Sequence, residues 1–206
     1  MKGKRIVNRA ARHLGLLALG AVFAAQAADM APDALVKSTV DEVLSVIKQN
    51  KDKQTLHDLA EKRVVQHFDF QAMTRLAIGR PWRDASPTQQ KALENAFRSL
   101  LVSTYTTALS QSTNTNQTVE VKPVQIKPSQ DDVTVKTLVK EPGRQPITID
   151  YRMSKESSGW KVYDVVVENL SLVTNYRSSF NAEINRNGID GLIKLLEAKN
   201  KQLAET

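Results

Sequence analysis

The spacing of apolar residues changes near residue 118, and that change restricts the fold more than any other feature. Upstream, apolar positions recur every three or four residues; from there to about 168, every second. In 33–49, Leu35, Val36, Val40, Val43, Leu44 and Ile47 share one face, as in an amphipathic helix. A second helix is expected from Thr55 as its cap, and a third from Asp69, carrying Phe70, Met73, Leu76 and Ile78 until Gly79 stops it. Ser86-Pro87-Thr88-Gln89 has the register of a capping box with a first-turn proline. It opens a long helix with Leu93, Phe97, Leu100, Leu101, Tyr105, Ala108 and Leu109 on one face.

Beyond the polar stretch 110–118, four strand-like segments follow at 118–127, 132–140, 146–154 and 159–168. Turn chemistry at Pro128-Ser129, Pro142-Gly143 and Ser157-Ser158-Gly159 separates them, and links this short imply antiparallel hairpins. Ile147, Ile149, Tyr151 and Met153 share one face of the third strand; Thr148, Asp150 and Arg152 share the other. Pro123 shifts the apolar set of the first strand and implies a bulge or bend, hence a curved sheet. Two last helices are expected, one carrying Val173, Tyr176, Phe180 and Ile184, the other starting at Asp190, with Asn187-Gly188 as the stop between them. The fold class is α+β: a curved, antiparallel, four-stranded sheet with helices against its concave face.

The ends and the composition narrow the function. Residues 1–27 combine Lys2, Lys4, Arg5, Arg9 and Arg12 with an apolar run over 14–24 and Ala25-Gln26-Ala27, the pattern of a cleaved secretory signal peptide. Its apolar core is short of the ~20 residues of a spanning helix. The formal charge is +7, but five of the 29 basic residues lie in that leader, leaving 24 against 22 acidic ones. The electrostatic footprint of a nucleic-acid binder is therefore missing. The chain contains no cysteine, so packing alone must hold it. Residues 28–206 are read as one domain, with a helical part at 31–112, a sheet part at 118–168 and C-terminal helices at 170–204.

Catalytic constellations are scarce. His57 and His67 lie ten residues apart without a metal-ligand motif, and Asp131-Asp132 are adjacent and point apart in an extended chain. Gly188 and Gly191 read as helix punctuation rather than a phosphate loop. Asp150 with Tyr151 and Tyr163 is a conceivable acid/base set, although Asp150 alternates with the inward residues and is more simply a partner of Arg152. Apolar and aromatic residues, by contrast, are abundant. Phe97, Leu101 and Tyr105 come from the long helix, Ile147, Ile149 and Tyr151 from the third strand, Tyr163, Val165 and Val167 from the fourth, and Leu172, Tyr176 and Phe180 from the last helices. They form either a solid core or the wall of an apolar pocket between sheet and helices. Trp82, in Gly79-Arg80-Pro81-Trp82-Arg83, is either a buried pin of a tight turn or part of a pocket rim.

Residues 68–109, with the junction "GRPWR" followed by Ser86-Pro87 and Gln89, resemble the MlaC-type periplasmic phospholipid-binding proteins of the maintenance-of-lipid-asymmetry system, also called the toluene-tolerance family. So do "SLVTNYRSSFN" at 171–181 and "GIDGL" at 188–192, and the likeness runs from Ala34 to Lys199. The resemblance implies an NTF2-like sheet joined to helices, acyl chains held in a pocket, and no catalytic role or cofactor. It further implies a periplasmic shuttle of glycerophospholipid between an inner-membrane ABC transporter, with its membrane-anchored substrate-binding ring, and an outer-membrane lipoprotein–porin complex. Within that picture Trp82, Phe97, Leu101, Tyr105, Ile147, Ile149, Tyr151, Tyr163, Val165, Val167, Leu172, Tyr176 and Phe180 are the candidate lipid-binding residues. A small-molecule enzyme on a similar scaffold and an interaction module with a solid core are the alternatives.

Overall fold

A computed structural model describes residues 30–111 and 116–205. The expected signal peptide at 1–27 lies outside these described residues, as does part of the polar stretch before the first strand.

Helix α1, Pro32–Gln49, starts on a proline in its first turn, where a missing N–H costs nothing. Helix α2, Lys53–Leu59, is capped by Asp52, whose carboxylate accepts from the Thr55 amide at 3.0 Å. Thr55 is thus the capped residue rather than the cap, because the Asp52 carboxylate three residues earlier already satisfies its N–H. The helical path continues through a wide turn at Ala60–Val64 and a tight one at Val65–His67. Helix α3, Phe70–Ile78, is capped by Asp69 and ends at Gly79, whose φ of 73° disfavours any side chain. A single tight turn, Arg80–Arg83, leads to helix α4, Pro87–Gln111. Here the capping box forms in full: Gln89 N donates to Ser86 Oγ at 3.2 Å, and Ser86 N donates to Gln89 Oε1 at 3.0 Å. Ser86→Ala is expected to lower stability by about 1 kcal/mol, read as a shifted midpoint in urea denaturation.

Among the described residues the sheet has five strands, not four: β1 Thr118–Val121, β2 Asp132–Lys140, β3 Ile147–Glu156, β4 Gly159–Val167 and β5 Leu170–Ser171. They pair antiparallel in chain order. The first strand is much shorter than the expected 118–127; Lys122 N still reaches Lys136 O at 2.9 Å, and Pro123, with no N–H, then ends the pairing. The bulge lies elsewhere. Arg152 faces Asp164 and Met153 faces Val162, so Tyr163 is the extra residue of β4. β5 escaped prediction because two residues carry no period, and its turn, Glu168-Asn169, holds both residues at positive φ without a glycine.

The two expected last helices form one continuous segment, α5, Leu172–Ala204, kinked at Gly188 (φ 72°, ψ −176°). Its start is fixed by Ser171, which accepts from Thr174 N, and by Asp164, which accepts from Val173 N at 3.2 Å and Ser171 Oγ at 2.7 Å. Asp164 is 1% exposed and also faces Arg152 Nη1 at 3.3 Å. Arg152 therefore pairs across the sheet with Asp164 rather than with Asp150.

Two apolar cores result. The helical core joins α3, α4 and α5, with Met73, Leu93, Phe97, Leu101, Phe180 and Leu192 at its centre. The sheet core packs Val36 of α1 on Val133, Val135, Met153, Trp160 and Val162. Phe68 packs against both; it forms an isolated bridge to Val162, and the next residue, Asp69, donates its N–H to Val162 O at 2.9 Å.

Candidate functional site

Alternation and register define the inner face of the sheet. Val135 of β2, Tyr151 of β3 and Val165 of β4 lie side by side, as do Thr137, Ile149 and Val167 one pleat further on. α1 covers the part of this face nearest the β3–β4 hairpin, through Val36, Leu35 and Val40. At the opposite end the face is open: Ile147 is 44% exposed, Val167 40% and Leu170 of β5 74%. The chain passes directly from β5 into α5, so Leu172 and Tyr176 flank this open end from the helical side. Tyr105 of α4, 47% exposed, adjoins Tyr176.

The thirteen candidate residues thus fall into distinct groups. Trp82, Phe97, Leu101 and Phe180 are buried members of the helical core. Trp82 is pinned in its turn, with Gln90 Nε2 donating to its carbonyl at 3.0 Å. Leu172 and Tyr176 are half-buried on the flank of that core, and Tyr105 stands at its margin. Ile147, Ile149, Tyr151, Val165 and Val167 occupy the inner sheet face. Tyr163 stands apart, since its bulge position turns it to the other face, where its hydroxyl donates to Asp132 Oδ2 at 2.8 Å. Residues the sequence reading passed over also belong here: Val133, Val135 and Thr137 of β2 are buried on the same inner face, and their strict alternation could have placed them.

The electrostatics of the face are those of a low-dielectric wall. Burial raises the Tyr151 phenol to about 12, and it raises those of Tyr176 and Tyr105, the last with a smaller contribution from Tyr176. Arg177 is not available to the open end: its guanidinium donates twice to the Leu76 carbonyl, at 3.0 and 2.7 Å, closing the end of α3. Two surface depressions, of about 440 and 420 Å³, lie apart from the open end of this face. The first is edged by polar side chains such as Lys91, Glu94, Arg98, Glu156 and Lys161; the second runs from Ala31 to Trp160 past Lys127 and Asp131.

The acid/base alternative does not assemble. Asp150 lies on the face opposite Tyr151, and Tyr163 is engaged by Asp132. His67 is half-buried, and burial, with Lys161 nearby, depresses its pKa against the opposing pull of Glu42. Among the described residues no group of three or more His, Cys, Asp or Glu could hold a metal, and no helix is long and apolar enough to cross a membrane.

A five-stranded antiparallel sheet with an apolar inner face, part covered by α1 and part open beside a separately packed helical core, defines an α+β protein built around an uncovered apolar wall. Residues 37–198 match the family described as MlaC protein, and the chain belongs to that family. Its relatives include the intermembrane phospholipid transport system binding protein MlaC of Haemophilus influenzae, 21% identical over 183 residues and covering 85% of each chain. Among solved structures it is similar to the phospholipid-binding protein of Ralstonia solanacearum, determined in complex with a phospholipid. That likeness has a TM-score of 0.74 and 38% sequence identity, over 86% of this chain and 99% of the other.

Proposed function

We propose that this chain is a periplasmic phospholipid carrier, reached through a cleaved signal peptide, that takes up acyl chains between the inner sheet face and the flank of the helical core. The observation that carries this reading is the phospholipid complex of a relative 38% identical over nearly its whole length. The sheet half is read as NTF2-like. Glycerophospholipid is the ligand, and the donors and acceptors are an inner-membrane ABC transporter with its membrane-anchored ring and an outer-membrane lipoprotein–porin complex. No catalytic step is assigned, because binding and release are the whole function of a carrier.

The energetics account for the composition. Moving two acyl chains of about 15 CH₂ groups each from a bilayer into water would cost on the order of 24 kcal/mol, at ~0.8 kcal/mol per group. A carrier has to replace nearly all of that with its own apolar surface. Ile147, Ile149, Val165, Val167 and Leu170 on the sheet, with Leu172 and Tyr176 beside them, supply such surface without the charges that would repel hydrocarbon. Organic extraction of the purified protein, made in a membrane-containing host, followed by mass spectrometry is expected to release phospholipid in stoichiometric amount. Protein that comes through this treatment with no lipid would overturn the proposal.

A further inference from the structure

Two tyrosines of the sheet differ in how their hydroxyls are satisfied. Tyr163 donates to Asp132 on the outer face at 2.8 Å. Tyr151 stands on the inner face between Val135 and Val165, and no described residue accepts its hydroxyl proton. The nearest polar side chain along this face, Thr137, is engaged, donating to the Ile149 carbonyl at 2.6 Å. Tyr151 is half-buried, so its hydroxyl reaches the margin of the open part of this face, where solvent or a ligand, rather than the protein, accepts its proton. Desolvation raises the phenol pKa to about 12, in agreement with a hydroxyl that stays protonated, and so a donor, beside the hydrocarbon of this face.

The geometry points to Tyr151 as the polar anchor of the bound ligand, its hydroxyl donating to an ester carbonyl where acyl chain meets glycerol. This rests on the carrier reading and adds a specificity to it. The acceptor is a neutral carbonyl rather than a phosphate. Val135, Val165, Ile149 and Val167 surround the phenol on this face, with no cation in register to balance a buried anionic group. A carbonyl joined directly to an acyl chain is the acceptor that can enter such surroundings together with hydrocarbon. The wall would then distinguish ester-linked lipids from ether-linked ones of the same length and head group.

The test compares the protein with Tyr151→Phe, which keeps the ring and removes the donor. Two probes are used: a diacyl phosphatidylglycerol and its dialkyl ether counterpart, titrated into lipid-stripped protein. The unsubstituted protein is expected to bind the ester about five- to tenfold more tightly than the ether, and Tyr151→Phe is expected to bind the two alike, at the ether affinity. Without lipid, Tyr151→Phe is expected to melt at the same temperature as the unsubstituted protein, since the hydroxyl it removes makes no bond within the described residues. An ester preference that survives in Tyr151→Phe, or that is missing from the unsubstituted protein, overturns the anchor while leaving the carrier intact. Folded protein that binds neither probe overturns both. A lower melting temperature with unchanged preference assigns Tyr151 a packing role only and likewise refutes the anchor.

Discussion

Phe97→Ala is expected to remove about 3–5 kcal/mol of folding free energy. Phe97 is fully buried in α4, and its ring is met edge-on by Tyr176 at 5.0 Å and by Phe180 at 5.2 Å, with those two rings 5.3 Å apart. Truncation would leave a void among three aromatic side chains that hold α4 to the first half of α5. Each edge-on pair lost adds about 0.5–1.5 kcal/mol beyond the buried area. Urea denaturation followed by circular dichroism should show the midpoint falling with little change in slope. Phe97→Leu, which refills most of the space, should recover more than half of the loss. If Phe97→Ala costs less than about 1 kcal/mol yet strips the protein of lipid, Phe97 is a ligand contact and not a core residue.

That alternative has weight because the sequence cannot separate the two roles. Periodicity marks which side chains avoid water, and a core and a ligand wall avoid it equally. Phe97 and Leu101, buried in the helical core, and Ile149 and Val165, on the inner sheet face, were therefore legible only as one apolar set. Local chemistry was more informative. The Asp69 cap, the capping box at Ser86 and Gln89, and the stop at Gly79 each rest on a short-range hydrogen bond or a single φ, and each formed where residue types placed it. The features that stayed hidden depend on partners distant in sequence. Asp164 carries no local signal of burial, yet it is buried because the start of α5 folds back over it with Ser171 and Val173 as donors. Tyr163 alternates as an inward residue until the bulge at Arg152 and Met153 turns it outward. Gly188 marks a stop locally, but the chain on either side continues as one kinked segment.

Val165→Trp is expected to weaken phospholipid binding roughly 50-fold while the protein still folds. Val165 is half-buried beside Tyr151 on the inner sheet face, so an added indole would occupy space assigned to acyl chain. Displacing about three CH₂ groups at ~0.8 kcal/mol each gives ~2.4 kcal/mol, and every 1.4 kcal/mol is a factor of ten. Leu101→Trp would not report on the same thing. Leu101 is enclosed in the helical core, where extra volume strains the packing by about 1–3 kcal/mol, and lost lipid would follow from lost fold. Thr134→Trp is the matched control: it adds the same side chain on an exposed position of β2, one residue before Val135 and so on the outer face. Lipid recovered per mole of purified protein, together with the thermal midpoint, separates the cases. The wall assignment requires Val165→Trp to lose lipid with its midpoint held and Thr134→Trp to keep it. A full load in both would mean that the acyl chains lie elsewhere than against this sheet.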